Sequence, residues 1–433
     1  MTHGTGSRRN IAVQGLSRVE GEGSLHVTVR DGVVGDVALD IFEPPRYFEA
    51  LLVGRHFTEA PDITARICGI CPVAYQLTAC AAMEDLCDVT VSPAVTDLRR
   101  LLYCGEWIQS HALHVYLLHA PDFLGCADAV ELAERERAAL QRGLELKRTG
   151  NLIMQTIGGR AIHPVNVRVG GFFHAPDPEA IAALREPVRR ALDLAVTTVA
   201  WAAGFDFPDE HGNYDFVALH RDDQYAIDAG DARSTSGLRV DPAHLAGLIV
   251  EEHVAGSTAL HARLAGRDHY LTGPLARYAH NVKQLPPRAA RAARDASLGD
   301  ECRNPFRSIV VRAVELVAAC EEALRLVDHY VAPYPPAEEI PVRAGVGVGA
   351  TEAPRGLLVH EYEVDDHGTI LRARIIPPTS QNQATIEDDL RRVVEHGLDL
   401  PDEELRARCE QSVRNHDPCI SCAAHFLDLE VHR

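Results

Sequence analysis

Two short cysteine pairs stand at opposite ends of the chain. One lies in Arg66-Ile67-Cys68-Gly69-Ile70-Cys71-Pro72, the other in Asp417-Pro418-Cys419-Ile420-Ser421-Cys422. A Cys-x-x-Cys spacing lets two sulfurs reach one metal centre from a single tight turn, and Gly69 lets the first turn tighten without a Cβ clash. Four thiolates suit several centres: a structural zinc, an iron–sulfur cluster, or nickel with coordination positions left open. The two pairs are about 350 residues apart, whereas zinc knuckles usually close short loops. Each is preceded by a polar residue, Arg66 or Asp417, that a structural zinc does not require.

The residues around these pairs resemble the large, catalytic subunit of nickel–iron hydrogenases. The resemblance spans nearly the whole length, with blocks near residues 16–23, 46–75, 106–121, 351–356, 376–383 and 417–425. In wording it is most similar to the cytoplasmic, multi-subunit, NAD(P)-linked branch, sulfhydrogenases included. The resemblance implies that Cys68 and Cys419 are terminal ligands of nickel, and that Cys71 and Cys422 bridge nickel to an iron carrying carbon monoxide and cyanide. It implies reversible cleavage of dihydrogen into protons and electrons, with Cys419 as the base.

Further residues are assigned by the same resemblance. Glu20, in Arg18-Val19-Glu20-Gly21, would take the proton from Cys419; a partly buried carboxylate suits such a relay. Arg355, between Pro354 and Gly356, would hang over the open position between the metals, as a guanidinium that keeps its charge. Asp417 would support it, or cap its own turn as Asp-Pro pairs do. Thr379 would offer its hydroxyl to an iron-bound cyanide, and Arg66 would lie beside the cofactor. His111 and His114, three apart on one helix face, suit a core or an interface; by resemblance His111 stands just behind the metals. Ser110 occupies a position where the family often has an acid, and Tyr75 one where many relatives have a His. Glu49, Gln383 and His425 would hold magnesium, which keeps several waters beside few protein ligands. The family precursor is cut after the His of the last motif, so residues 426–433 read as a tail removed by a maturation endopeptidase.

The remaining cysteines, such as Cys80 and Cys87, form no compact set and read as buried thiols. Gly345-Val346-Gly347-Val348-Gly349 lacks the spacing of a dinucleotide motif. Electrons must therefore leave through other chains. The expected partners are an iron–sulfur small subunit, together with flavin (FAD) subunits serving NAD(P). Deazaflavin, heterodisulfide or polysulfide are alternative acceptors, and a redox-complex subunit with a four-cysteine zinc site is the alternative of a different class.

The elements that must position these residues are mainly helical. Apolar spacing predicts helices over 94–119, 129–158, 178–203, 242–264, 305–330, 385–396 and 402–414, with Asp177-Pro178 and Asp241-Pro242 as starts. Alternation predicts strands over 11–40, with Leu25, Val27 and Val29 on one face and a turn at Asp31-Gly32. A second hairpin is expected from Leu357–Val364, a turn at 365–368, and Ile370–Ile376. The fold class is mainly α with peripheral β-hairpins (α+β), as one unit over 1–433: a β-rich part about 11–45, a helical body about 46–340, a hairpin patch about 355–377, a metal-ligand segment 385–425 and the tail.

Composition is that of a large soluble globular protein. Of 433 residues, 46% are hydrophobic and 24% charged, enough to bury a substantial core. The net charge of −19 argues against nucleic acid as the main partner. No apolar run reaches transmembrane length and Met1–Asn10 is polar, so a cytoplasmic protein is expected.

Overall fold

The computed structural model describes residues 8–44 and 46–424. Its centre is helical. Helix α1 (Pro72–Cys87) starts with a proline in the first turn, directly after Cys71. Helix α2 (Pro93–Leu113) buries Val95, Leu98, Leu101, Leu102 and Ile108 and runs on into a π-helical turn, His114–His119. It packs along α3 (Arg137–Gly158) and α5 (Ser308–Asp328), and α5 also packs along α4 (Arg185–Ala203). These faces share one large apolar cluster. Among the described residues, no helix is long and apolar enough to cross a membrane.

Strands β1 (Arg8–Val13), β2 (Gly23–Arg30) and β3 (Val33–Ile41) form an antiparallel sheet. The turn at Asp31-Gly32 has both residues at positive φ, 52° and 77°, as a two-residue hairpin turn matched to strand twist requires. A second sheet contains β4 (Gly345–Ala353), β5 (Gly356–Val364) and β6 (Ile370–Ile376) in that order. Helices α6 (Pro378–His396) and α7 (Asp402–Asn415) follow. Their residues Ile386, Leu390, Val393, Leu405 and Val413 cover the buried face of the first sheet, with Leu25, Val27 and Val29 opposite.

Several boundaries differ from expectation. The helix expected over 242–264 ends after Pro242–Leu245 and one 3₁₀ turn; a hairpin of Ile249–His253 and Leu260–Leu264 replaces the rest. Ala262 and Leu264 alternate inward and Gly256 turns the chain at φ 93°, so period two wins over an equally apolar helical reading. The helix expected over 129–158 is broken at Glu136. Asp177 and Asp241 cap their helices as expected, each accepting a backbone N–H at 2.9 Å.

The glycine run 345–349 is part of an edge strand, not a nucleotide loop. Strand β4 lies against α1, and its glycines permit the approach: a Cβ on Gly347 would stand 2.1 Å from the Ala82 carbonyl oxygen, and one on Gly349 2.4 Å from that of Thr78. Gly347→Ala is therefore expected to destabilise the protein by about 1–3 kcal/mol through overpacking. Gly247→Ala, where a Cβ meets nothing within 4 Å, should leave the thermal midpoint unchanged. Equal midpoints for the two variants would refute the close-approach account.

Candidate metal centre

The first cysteine loop is pinned from several sides. Cys68 ends a 3₁₀ turn, Ala65–Ile67, and Cys71 precedes α1. The Cys68 sulfur accepts from the backbone N–H of Ile70 and of Cys71 at 3.3 and 3.4 Å. From α2, the buried Glu106 carboxylate accepts the N–H groups of Val73 and Ala74 at 2.6 and 3.1 Å, capping α1 immediately beyond Cys71. Gln109, three residues further along α2, donates to the Ile70 carbonyl at 2.5 Å.

The second loop is held just as closely. Asp417 sits at φ 52°, turning the chain out of α7. The Cys419 N–H donates to Thr379 Oγ1 at 2.9 Å, and the Ile420 N–H to the Glu20 carbonyl at 2.9 Å. Arg46 joins the two loops: it donates to the Ile67 carbonyl at 2.6 Å and also to that of Ser421.

The four sulfurs meet in the interior, all within 4.8 Å of one another and all buried. Cys68 lies 3.5 Å from Cys419, Cys71 lies 3.7 Å from Cys422, and Cys419 lies 2.6 Å from Cys422. Four soft donors gathered this closely suit a shared ion, which thiolates approach to about 2.3 Å. Hydrogen bonds from Cys419, then Cys422 and Cys71, pull the Cys68 thiol well below its usual range. Burial raises Cys419 and Cys422. A buried thiolate set needs positive charge beside it.

Arg355 supplies a fixed cation whose charge favours the Cys68 thiolate. Its Nε donates to the Asp417 carbonyl at 2.9 Å and its Nη2 to Asp417 Oδ1 at 3.1 Å. Burial opposes its charge, but Asp417 and then Cys419 hold its pKa well above the ordinary value. Its Nη1, and Oδ2 of Asp417, are buried without a hydrogen-bond partner among the described groups. Glu20 Oε2 accepts from Cys419 Sγ and from the Ser421 N–H, both at 3.1 Å. The soft donor set, with these unsatisfied polar atoms beside it, fits a metal centre that takes additional ligands.

The other residues named from the sequence fall in different places. His111 is fully buried, with Nε2 3.0 Å from Glu315 Oε2; burial lowers its pKa. Arg66 is not brought to the thiols: its guanidinium pairs with Asp62 at 2.9 Å on a partly exposed surface, because the 3₁₀ turn directs it outward. Glu49 accepts the Ile375 N–H at 2.6 Å, and burial pushes it up to about 7. Gln383 donates to the Leu39 carbonyl at 2.7 Å while its Oε1 is buried without a hydrogen-bond partner. His425 and the tail lie outside the described residues. Tyr75 is fully buried against His360, and burial, then the neighbouring cysteines, keep its phenol neutral.

Glu106, Gln109 and Arg46 were not singled out from the sequence. Glu106 leaves a trace there: a carboxylate within the apolar face of a long helix signals a buried partner. Gln109 and Arg46 leave no such trace, because their partners are main-chain carbonyls.

The family model for nickel-dependent hydrogenases matches residues 46–151 and 291–425. The chain belongs to the nickel-dependent hydrogenase family. The alpha chain of sulfhydrogenase 1 from Pyrococcus furiosus is 34% identical over 97% of this chain and 98% of that one. The matching F420-non-reducing hydrogenase chain of Methanothermobacter marburgensis is 30% identical over 97% of this chain and 96% of that one. A crystal structure of NAD+-reducing [NiFe]-hydrogenase in the H2-reduced state superposes with a TM-score of 0.86, at 28% identity over 96% of this chain and 99% of that one. The protein is thus a hydrogenase large subunit, an oxidoreductase acting on dihydrogen with nickel and iron, and the mainly helical fold is that of its relatives.

Removing one sulfur should empty this hydrogenase centre without unfolding the chain. Cys68→Ser is expected to lose nickel and all hydrogen uptake, measured by elemental mass spectrometry and hydrogen-dependent dye reduction. Full nickel content in this variant would refute the ligand assignment.

Proposed function

We propose that this chain, acting as one catalytic unit, interconverts dihydrogen with protons and electrons at the four-cysteine centre. Cys68, Cys71, Cys419 and Cys422 would together hold nickel and an iron carrying carbon monoxide and cyanide. When bound, nickel and iron supply the Lewis acidity that polarises dihydrogen and accept its electrons. The observation that carries the reading is the buried thiol quartet, with a carboxylate 3.1 Å from one sulfur and a guanidinium with an open N–H beside it.

The protein groups divide the remaining work. Cys419 takes the proton as base and passes it to Glu20 across the 3.1 Å contact. Arg355 holds a fixed positive charge over the thiolates, oriented through two hydrogen bonds to Asp417. Thr379 Oγ1 accepts from the Cys419 N–H, which leaves its own proton to donate to a ligand on iron. His111 backs the centre from α2. Glu49, Gln383 and His425 would hold magnesium, for which a half-buried carboxylate and a buried amide oxygen supply hard donors.

Electrons leave through an iron–sulfur small subunit toward flavin and NAD(P) in further subunits, because the other cysteines form no ligand group among the described residues. The names of the relatives differ in acceptor, and acceptor choice resides in the partner chains. A cytoplasmic location and removal of residues 426–433 by a maturation endopeptidase complete the reading.

The natively purified complex should contain about one nickel per chain, with iron in excess and no stoichiometric zinc; one zinc and no nickel would favour the structural-zinc alternative. Glu20→Gln keeps the shape but removes the proton acceptor. It should retain nickel and slow turnover by about 100-fold or more, and wild-type turnover would exclude Glu20 from the relay. Arg355→Lys should also retain the metals and slow turnover strongly, because an ammonium cannot reproduce the guanidinium fork.

A further inference from the structure

The backbone that carries Arg355 is clamped by a residue with no contact to the centre. Three successive carbonyls precede Arg355, and each is held by a buried side chain. Trp107 Nε1 donates to the Glu352 carbonyl at 3.0 Å, Arg277 Nη1 to that of Ala353 at 2.8 Å, and Arg277 Nη2 to that of Pro354 at 2.8 Å.

Arg277, in the short helix Pro274–Asn281, is fully buried. Its Nε and Nη2 also grip both oxygens of Glu315, at 2.7 and 2.8 Å, and Nη1 reaches Glu352 Oε2 at 3.2 Å. These bonds account for all five guanidinium N–H donors. The cation stacks on Trp107, 4.4 Å from the ring centroid, and Tyr225 donates to Glu315 at 2.8 Å. Glu315 is in turn the carboxylate beside His111.

The turn is closed from the other side as well. Gly273 sits at φ 110°, and a Cβ there would stand 2.7 Å from the Arg355 carbonyl oxygen. The Leu357 N–H donates to Thr272 Oγ1 at 2.8 Å. Residues 352–357 are therefore fixed on both sides of Arg355, while its guanidinium is fixed by Asp417. A long side chain amplifies any rotation of its own backbone. Holding the charge over the thiolates thus requires the turn to be rigid as well as the ion pair to form.

We propose that Arg277 is a positioning residue for hydrogen cleavage: by locking the Ala353 and Pro354 carbonyls against the Glu315 carboxylate, it sets where the Arg355 guanidinium stands. The inference rests on the role proposed for Arg355 in hydrogen cleavage. A lysine at 277 would keep the charge but could not make the five-bond fork.

The test uses the purified complex with Arg277→Lys, Arg355→Lys and the double variant. Three quantities are read: hydrogen-uptake turnover, nickel content, and deuterium exchange of the peptide covering 350–358. Arg277→Lys should slow turnover about 10- to 100-fold, the range for residues that orient a metal site from behind. Nickel should be unchanged, and exchange should rise in 350–358 but not around Cys68–Cys71 or Cys419–Cys422. The double variant should be no slower than Arg355→Lys, because the clamp then has no guanidinium to place. Wild-type turnover in Arg277→Lys, or losses that multiply in the double variant, would overturn the proposal. If Arg277→Lys loses nickel, Trp107→Phe decides, since it removes the indole N–H from the Glu352 carbonyl while keeping an aromatic ring beside Arg277. A turnover loss absent from the Arg355→Lys background supports the clamp, and unchanged or multiplying losses reject it. Wild-type turnover in Arg355→Lys alone would instead sink the role of Arg355 itself.

Discussion

Everything in this structure serves the meeting of two cysteine loops that begin about 350 residues apart. Four sulfurs within 4.8 Å in a buried site are an electrostatic problem as much as a geometric one. Thiolates so placed repel each other and have lost their water. The chain answers with a cation whose position is fixed, Arg355, while Glu20 accepts the hydrogen of a single sulfur, that of Cys419. A bound metal cation would complete the balance, and the unsatisfied groups beside the thiols suit that charge.

The supporting shell is built largely from side chains bonded to backbone. Glu106 and Gln109 hold the first loop, Thr379 and Glu20 the second, and Arg46 ties the two together. Side chain-to-backbone bonds suit this purpose, because they fix where the chain runs rather than where another flexible side chain points. Arg277 and Trp107 apply the same device to the turn that carries Arg355. Their partner Glu315 is held down to about 2: burial pushes it up, but Arg277 outweighs that. Burial pushes Glu352 up to about 7. Arg277 is thus paired closely with Glu315 and at longer range with Glu352.

Much of the fold was legible in the sequence, for identifiable reasons. The Asp31-Gly32 turn was readable because few dipeptides accept two positive φ angles, and the Asp-Pro helix starts because cap and proline chemistry are local. The helix expected over 242–264 failed because Leu245, Leu248 and Ile249 satisfy a helical spacing, while the hairpin is decided by what Ala262 and Leu264 pack against. The glycines of 345–349 were unreadable for a related reason. Their meaning is the Ala82 and Thr78 carbonyls of α1, and no local pattern names a partner more than 250 residues away.

The chain alone names the candidate donors, four cysteines in two tight spacings, and the residues flanking them that mark a nickel-dependent hydrogenase. Ligand chemistry depends on residue type and short-range spacing, both of which are written in the chain. Only the tertiary structure decided which groups stand around that centre. It brought Glu20 to Cys419, turned Arg66 outward to Asp62, and made Glu106 and Arg277 into supports. Those outcomes depend on distances of a few ångströms between distant segments, set by how helices and sheets pack.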